Sequence, residues 1–435
     1  MSEQTTTLSA SRSQIIQWWR SYRTARRRTL AKYASTVRFR LTREGFHLSM
    51  VVMFIFIGAV LRDINLLILI AATMIGLLLL QWRFSVGTIR GLMIMRKLPE
   101  RITEGMRLDC FVTVRNAKPW LGAWLVLVED SISQQAPNVN RSVGRGVAII
   151  DDVPPQGESN ASYELMFARR GRYQIGPCTV STRFPLSLGR GWRTQELLHQ
   201  IIVHPQLGEL TSAGRSLVQS DLEGQAKTSV HAGVHEAEFF GLRPWATGDS
   251  RRWIHWRTSA KLGELSVRQF ERLQHQQACI LLDLYQAKSN NSPQFANSCE
   301  CAISFVATLV MQTVRGAGNR VSVAVAANSV VTLANIQSPT LVTNLLDELA
   351  IIAPTAQPDH WSALKKMSMT LLQNPNLLVI SSRPEAKEEL RILLSKIVGI
   401  KTASRMSIRW LNAEQGELEP YFKWTPTVSR DSAHI

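Results

Sequence analysis

Arginine and tryptophan side chains are concentrated between Glu238 and Glu271, where the residue types are best suited to binding. Tryptophan and arginine are the usual anchors of protein-docking surfaces, and basic side chains interleaved with aromatic rings also suit phosphate groups or single-stranded nucleic acid. Gly248 and Asp249 predict a turn, in which the Asp249 carboxylate can pair with Arg243 or Arg252 in bidentate geometry. The basic and aromatic members are Arg243, Trp245, Arg251, Arg252, Trp253, Trp256, Arg257, Lys261 and Arg268.

Several interpretations of this segment stay open. Its arginines and tryptophans can lock a connecting segment against the next domain. They can instead form a docking surface for another protein, or bind phosphate, lipid headgroups or nucleic acid. A catalytic interpretation would use His255, beside Trp256, as a base.

Motifs of common enzyme classes are missing from the chain. It contains no G-x-x-x-x-G-K-[ST] loop, no G-x-S-x-G, no H-E-x-x-H and no paired C-x-x-C. His231 and His235 lie four residues apart, so on a helix they would share one face and could bind a metal ion. Gly224 and Gly233 disfavour a helix there, which argues against this metal site. We therefore expect a protein that is not an enzyme and has no cofactor.

The formal net charge of +17 is concentrated near the N-terminus. Residues 1–45 form a basic tail with ten lysines and arginines against Glu3 and Glu44. Such a tail suits anionic lipid headgroups, at about 1 kcal/mol for each basic residue near the surface, and nucleic acid is the competing ligand class. The apolar segment that follows favours the membrane, so we expect anionic membrane lipids as a partner and no nucleic acid.

Two apolar runs, 46–61 and 64–80, carry no charged residue and flank Arg62-Asp63. They predict a transmembrane helical hairpin over 46–82; two buried core helices are the alternative, and a cleaved signal peptide does not fit, because the first run starts late. Basic residues on both outer flanks predict that both termini lie in the cytoplasm. Five irregularly spaced cysteines agree with a reducing compartment. We therefore expect an inner-membrane protein with two spans.

Hydrophobic periodicity divides the rest of the chain. Alternation with period two over 98–206 predicts an antiparallel β-sandwich, followed by a linker over 207–237 and the Arg/Trp segment over 238–272. From 278 to 412, apolar strands alternate with helices, which predicts a doubly wound, mainly parallel α/β domain. A C-terminal tail covers 413–435. The expected fold class is therefore multidomain, with a membrane hairpin, a β-sandwich and an α/β domain.

The Arg/Trp segment closely resembles the signature of the bacterial domain-of-unknown-function family fifty-eight, which has no established activity. Residues 168–190 resemble a second segment of that family. The resemblance implies that 278–412 is a von Willebrand factor A-like domain. It also implies a MoxR-type AAA+ ATPase as partner, and a transglutaminase-like membrane protein as a further one. The signature positions are Arg243, Trp245, Gly248, Asp249, Arg252, Trp256, Ser259, Ala260 and Arg268.

A von Willebrand A-type domain often binds a divalent cation through Asp-x-Ser-x-Ser after its first strand and an Asp after a later strand. Asp283 is present here, but Tyr285 and Ala287 stand where the two serines belong. Ser381-Ser382 follows the later strand, where the second Asp is expected. One carboxylate holds Mg²⁺ or Ca²⁺ only weakly against water. We therefore predict that this chain has lost the metal site.

Together, these features favour a membrane-anchored, non-enzymatic adaptor that works with a MoxR-type AAA+ ATPase in envelope or protein-complex maturation. The alternative is a membrane-tethered protein that binds phosphate or nucleic acid. Salt dependence separates the two, since phosphate binding weakens steeply as counterions compete.

Overall fold

The computed structural model describes residues 37–135, 140–223, 238–246, 249–271, 277–286, 293–316, 319–374 and 376–425. The chain divides into two compact units, one formed by Met1–Val203 with Arg430–Ile435 and the other by His204–Ser429. Most of the predicted basic tail lies outside the described residues, as do His231 and His235 of the predicted linker.

Two long apolar helices belong to the first unit: α1 spans Arg43–Leu61 and α2 spans Asn65–Ile89. Thr42 caps α1 by accepting a hydrogen bond from the Gly45 amide at 3.2 Å. The mean hydropathies of the two helices are 1.9 and 2.0, and only 17% and 11% of their most apolar windows are buried. They are therefore not core helices, and their length and exposed apolar surface suit a membrane.

A third described helix is also long and apolar enough to cross a membrane, Phe295–Arg315, with a mean hydropathy of 1.2. Its most apolar window is 61% buried within the second unit. It is therefore part of a protein core, as the alternating strand–helix pattern of that region predicts.

The described part of the first unit also contains the strands of two antiparallel sheets. A seven-stranded sheet contains the first, third, fifth, sixth, eighth, ninth and tenth strands, and a three-stranded sheet contains the second, fourth and seventh. In chain order the strands are β1 Arg38–Leu41, β2 Leu92–Lys97, β3 Arg101–Thr103, β4 Arg107–Asn116, β5 Ala123–Gln135, β6 Asn140–Val153, β7 Glu158–Met166, β8 Gly171–Thr182, β9 Gly189–Gln195 and β10 His199–His204.

The two sheets share one hydrophobic core. Residues along β4 alternate between buried and more exposed, and Val112 faces the core from the three-stranded sheet. Val128, Ile175 and Ile201 face it from the seven-stranded sheet. Because successive side chains of a strand point to opposite faces, the other residues form the outer faces of the two sheets. This unit is an antiparallel β-sandwich, as the period-two pattern predicts.

Hydrogen bonds attach α2 to the sandwich. Gln81 is fully buried, and its amide group donates to Ser85 Oγ at 2.8 Å and to the Gly189 carbonyl at 2.9 Å. The Leu186 amide donates in return to Gln81 Oε1 at 2.8 Å, and the Ser85 hydroxyl donates to the Phe184 carbonyl at 2.9 Å. The end of α2 is therefore fixed to the loop that precedes β9.

Gly45 allows the first turn of α1 to approach the same loop closely. The Thr42 amide donates to the Leu188 carbonyl at 3.0 Å, and a Cβ on residue 45 would lie 1.8 Å from that oxygen. We expect Gly45→Ala to push these segments apart and to destabilise the first unit by about 1–3 kcal/mol. Gly58→Ala on the same helix is the control, because no atom lies within 4 Å of its added Cβ. Thermal unfolding in detergent micelles measures both, and equal melting temperatures would contradict this packing.

The second unit is built around a five-stranded sheet. Four of its strands are parallel and one edge strand is antiparallel. The remaining strands form two separate two-stranded ribbons. The described strands of this unit are β11 Glu209–Leu210, β12 Glu238–Pro244, β13 Ser266–Glu271, β14 Gln277–Asp283, β15 Arg320–Ala326, β16 Val330–Ile336, β17 Asn376–Ser381, β18 Ser407–Asn412 and β19 Phe422–Lys423.

Helices cover both faces of the main sheet, whose order is β16-β15-β14-β17-β18. Ile280 and Leu282 of β14 belong to the core on one face, and Leu281 belongs to the core on the other face. Burial on both faces explains why β14 reads as one continuous apolar run. The described helices of the unit are α3 Ser212–Glu223, α4 Trp256–Leu262, α5 Pro293–Arg315, α6 Pro339–Ile351, α7 His360–Lys366, α8 Ser368–Gln373, α9 Lys387–Val398 and α10 Ile400–Arg405.

Several elements lie outside, or extend beyond, the boundaries that the sequence predicts. β1 lies within the predicted tail 1–45, β2 precedes the predicted start of the sandwich at residue 98, and α2 continues beyond residue 82. The predicted linker contains β11 and α3, and the predicted tail 413–435 contains β19. The four strands β1, β2, β11 and β19 are too short to show a period of their own. Distant partners hold them instead, as Leu210 of β11 pairs with Phe422 of β19.

Candidate functional site

The Arg/Trp segment folds as a β-hairpin with a helical insertion, and we call residues 238–271 the signature hairpin. Its strands β12 and β13 pair from Glu238 opposite Glu271 to Pro244 opposite Ser266. A 3₁₀ turn at Arg251–Trp253 and then α4 connect the strands. Gly263 ends α4 in the left-handed conformation, at φ 72°, which glycine adopts without strain. The strands therefore hold both ends of the insertion.

A bidentate ion pair closes the loop after β12. Arg243 Nη1 and Nη2 donate to the two oxygens of Asp249 at 2.7 and 2.6 Å, and the Ala246 amide donates to Oδ2 at 2.9 Å. The hydrogen bond from Arg243, followed by that from Ala246, lowers the pKa of Asp249 below its ordinary value. Of the two partners considered from the sequence, the structure shows Arg243. Gly248 lies outside the described residues.

Ser259 and His255 hold α4 against β13. Ser259 is buried, and its hydroxyl accepts from the Ser266 amide at 2.9 Å and donates to the His255 carbonyl at 3.1 Å. His255 Nδ1 lies 3.3 Å from the Thr258 amide and caps the helix. His255 Nδ1 also lies 2.8 Å from the Thr258 hydroxyl. Both side chains bond to the local backbone as well, so they attach the helix to β13.

The surface around α4 is both aromatic and basic. The Trp256 side chain is 66% exposed and Trp245 is 38% exposed. We call the exposed residues Arg251, Arg252, Trp256 and Arg257 the α4 surface. The signature positions therefore separate into two groups. Arg243, Asp249 and Ser259 hold the hairpin together, whereas the exposed positions are Trp245, Arg252, Trp256, Ala260 and Arg268.

A second polar group, the Asp283 cluster, lies where β14 and β17 end side by side. Asp283 is fully buried and is paired in register with Ser381. Its Oδ1 accepts from His360 Nε2 at 2.9 Å. Its Oδ2 accepts from the Ser381 hydroxyl at 2.8 Å and from Arg383 Nε at 2.9 Å. The Arg383 guanidinium also lies 6.0 Å from the ring centre of Tyr285.

The residues of the Asp283 cluster do not fit a divalent cation. Burial by itself raises the pKa of the Asp283 carboxyl, but the hydrogen bond from His360 and the positive charges around it outweigh burial, and the pKa lies below its ordinary value. Both carboxylate oxygens already accept from protein donors, and a cation here would face the charged Arg383. Within the part of the chain that is described, no group of three or more His, Cys, Asp or Glu could hold a metal. Ala287 lies outside that part.

The sequence indicated Asp283 and Ser381, the last residue of β17, but it did not indicate His360 or Arg383. His360 lies 77 residues from Asp283, so no local pattern links the two. A usable signal did exist for Arg383: a basic residue follows the strand end at which the resemblance leads us to expect an acidic one.

We expect no saturable Mg²⁺ binding at Asp283, because its oxygens are engaged by His360, Ser381 and Arg383. Calorimetric titration of the full-length protein in detergent micelles tests this expectation. Asp283→Asn measures binding at other sites. Saturable binding by the wild type that Asp283→Asn removes would contradict it.

One part of the chain matches the model of a known protein family. Residues 241–401 match the family model described as "Protein of unknown function DUF58". The matched range contains most of the signature hairpin and much of the five-stranded sheet. The match supports this family for the second unit and agrees with the resemblance seen in the sequence. No curated protein matches the chain.

Solved structures match only portions of the chain. The CARDB domain of a Pyrococcus furiosus protein is 14% identical over 26% of this chain and 94% of that one, with a TM-score of 0.17. A β-glucosidase from Listeria innocua is 11% identical over 26% of this chain and 16% of that one, with a TM-score of 0.18. A superoxide reductase (neelaredoxin) from Ignicoccus hospitalis is 13% identical over 25% of this chain and 79% of that one, with a TM-score of 0.17. At these scores, neither fold nor function is inferred from them.

Proposed function

We propose that this chain, whose residues 241–401 match a family of unknown function, is a membrane-anchored, non-enzymatic adaptor that docks another protein through its signature hairpin. The exposure of Trp256 carries the proposal. Its side chain is 66% exposed on a helix that the buried Ser259 holds against β13. An exposed aromatic anchor on a fixed backbone loses little conformational freedom on binding, and tryptophan and arginine dominate the energy of many interfaces.

The charge of the α4 surface defines the chemistry of the partner. Arg251, Arg252 and Arg257 are exposed around Trp256. A complementary partner presents acidic side chains around an apolar recess. The family resemblance implies a MoxR-type AAA+ ATPase as this partner and a transglutaminase-like membrane protein as a further one. The process in which they would act together is the maturation of the envelope or of protein complexes.

Anchoring in the inner membrane is supported by the two exposed apolar helices. We propose that α1 and α2 cross it as a hairpin and that both termini lie in the cytoplasm, because basic residues flank the two helices on their outer sides. The five cysteines are all free thiols, which suits a reducing compartment.

We propose a von Willebrand A-like fold for the α/β domain. Its support is the sheet order β16-β15-β14-β17-β18, with only β16 antiparallel, together with helices on both faces. In this proposal the Asp283 cluster takes the place of the cation, and Arg383 supplies the positive charge that a metal ion would bring.

A non-enzymatic role is supported by the state of the cysteines. Burial raises the pKa of Cys110 and Cys301 to about 11 and that of Cys279 to about 12. Since the thiolate is the nucleophilic form, these thiols are inert at neutral pH.

Phosphate or nucleic-acid binding is the alternative that the exposed arginines favour. Binding to phosphates weakens steeply with salt because counterions compete for them. A contact centred on Trp256 would depend on salt far less, since its apolar part is not screened.

Affinity purification from native membranes in mild detergent tests the adaptor role. We expect the wild-type protein to recover an AAA+ ATPase and the Trp256→Ala variant to recover at least about tenfold less of it. A central tryptophan anchor commonly contributes about 2 kcal/mol or more to binding, which is roughly a thirtyfold change in affinity. Trp120→Ala is the control, since the Trp120 side chain is 92% exposed in the first unit. Equal recovery with all three proteins would show that the α4 surface is not the docking site.

A further inference from the structure

A cleft of about 880 Å³ lies on the outer face of the seven-stranded sheet, beside the start of α1. Its floor contains Ser131 of β5, Thr179 of β8 and Thr194 of β9, all on strands that are neighbours in that sheet. Its basic lining residues are Arg40, Arg43, Arg145, Arg183 and Arg190. The cleft belongs entirely to the first unit and is separate from the signature hairpin.

The acidic residues of the cleft offset only part of this charge. Asp130 is 1% exposed, and its carboxylate is ion-paired with the buried Arg96 at 2.5 Å. Glu129 accepts from Arg190 at 2.5 Å. Glu44 is the other carboxylate of the lining, against the four arginines other than Arg190 that also line the cleft. The cleft therefore carries a net positive charge without a ligand.

Two of the arginines are direct cross-strand neighbours. Arg40 of β1 lies opposite Arg190 of β9 in an antiparallel pair. Like charges placed directly opposite each other destabilise a sheet. Arg190 is also held by the Ser181 hydroxyl at 2.9 Å. An anion between the two guanidinium groups would relieve their repulsion and could accept from both.

The position of the cleft identifies the source of this anion. Arg43 is the first residue of α1, and Phe46 in the same first turn is already 60% exposed. On α2, Trp82 is 50% exposed, next to the buried Gln81. Apolar surface therefore begins within one helical turn of the cleft, and aromatic residues at such a position mark the headgroup level of a membrane.

We propose that this cleft binds the phosphate of an anionic phospholipid, with the acyl chains of the lipid lying along α1. Guanidinium groups bind phosphate oxygens in pairs, which suits a cleft lined by arginines better than one lined by lysines. The inference rests on the membrane anchoring proposed above and adds a defined lipid site to it.

Native mass spectrometry of the full-length protein released from detergent micelles tests this site, with phosphatidylglycerol or phosphatidylcholine added at equal concentration. The test variant is Arg40→Gln/Arg183→Gln. The control is Arg107→Gln/Arg115→Gln, which removes two exposed arginines of β4 that do not line the cleft. Wild type and control are expected to retain one phosphatidylglycerol in preference to phosphatidylcholine. The test variant is expected to bind it about thirtyfold more weakly, since two basic contacts near the membrane surface are lost.

Equal retention of the two lipids by the wild type, or equal retention of phosphatidylglycerol by all three proteins, would overturn the lipid site. Displacement of the lipid by inorganic phosphate at the same concentration would assign the cleft to a soluble anion instead. Insertion into phosphatidylcholine nanodiscs separates this question from anchoring. Wild type that fails to insert would overturn the proposed membrane hairpin, whereas insertion without lipid preference would overturn the site alone.

Discussion

Arg96→Met is expected to lower the free energy of unfolding of the first unit by about 3–5 kcal/mol, because it leaves a buried carboxylate without its countercharge. Arg96 Nη1 lies 2.5 Å from Asp130 Oδ1, and the two side chains are only 2% and 1% exposed. Tyr163 donates to Asp130 Oδ2 at 2.6 Å, and Arg96 Nη2 donates to the Ile175 carbonyl at 3.0 Å. In the variant, the neutral Tyr163 hydroxyl and Cys178 thiol would remain beside a desolvated negative charge that has lost its countercharge.

Native-state hydrogen exchange of the sandwich strands, measured in micelles, gives this free energy for the first unit alone. Arg107→Met is the control, because Arg107 lies 3.8 Å from Glu164 and both side chains are mostly exposed. Exposed pairs contribute about 0–1 kcal/mol. Adding Asp130→Leu to Arg96→Met should recover much of the loss, since it removes the unpaired charge. Equal losses for Arg96→Met and Arg107→Met would contradict a buried ion pair.

Arg383→Met is expected to destabilise the second unit by about 2 kcal/mol. The Arg383 side chain is 21% exposed, and His360 and Ser381 still donate to Asp283 in the variant, so the loss is smaller than in the first unit. Hydrogen exchange of the β14 and β17 amides reports on this site. Arg391→Met is the control, because Arg391 pairs with Glu388 at 3.6 Å on the exposed side of α9.

Acid should weaken the second unit through Asp283. Its pKa in the folded protein lies below the ordinary value of 3.8, so the carboxylate adds stability above that value and loses it as the pH falls through the folded pKa. Removing Arg383 raises the folded pKa, and the loss then begins at a higher pH. An unchanged acid transition in Arg383→Met, with an effect no larger than that of Arg391→Met, would show that Arg383 does not balance this charge.

The large elements of the fold follow from the sequence, whereas the elements that connect them do not. Uncharged runs mark α1 and α2, and continuous apolar runs mark β14, β15 and β17, because lipid or burial on both faces leaves no place for charge. β16 was not predicted, since its burial is only partial along most of its length and its residues show no clear period. β1 and β11 depend on distant partners, which a local pattern cannot reveal.

The candidate site shows the same limit. The sequence left Arg243 and Arg252 open as partners of Asp249, because both are close along the chain and chemically complementary to it, and the structure shows Arg243. It did not indicate that Ser259 is buried while Trp256 is exposed, because the direction of each α4 side chain depends on where β13 lies. The cleft beside α1 combines residues from five strands and the start of α1, so only the folded sheet brings it together.

Direct binding of a purified MoxR-type AAA+ ATPase to the full-length protein in nanodiscs tests the docking role most directly. Dissociation constants would be measured for wild type, Trp256→Ala and Trp120→Ala by biolayer interferometry. The proposed role predicts that wild type and Trp120→Ala bind alike and that Trp256→Ala binds at least about tenfold more weakly. No binding by the wild type, or the same dissociation constant for all three proteins, would contradict it.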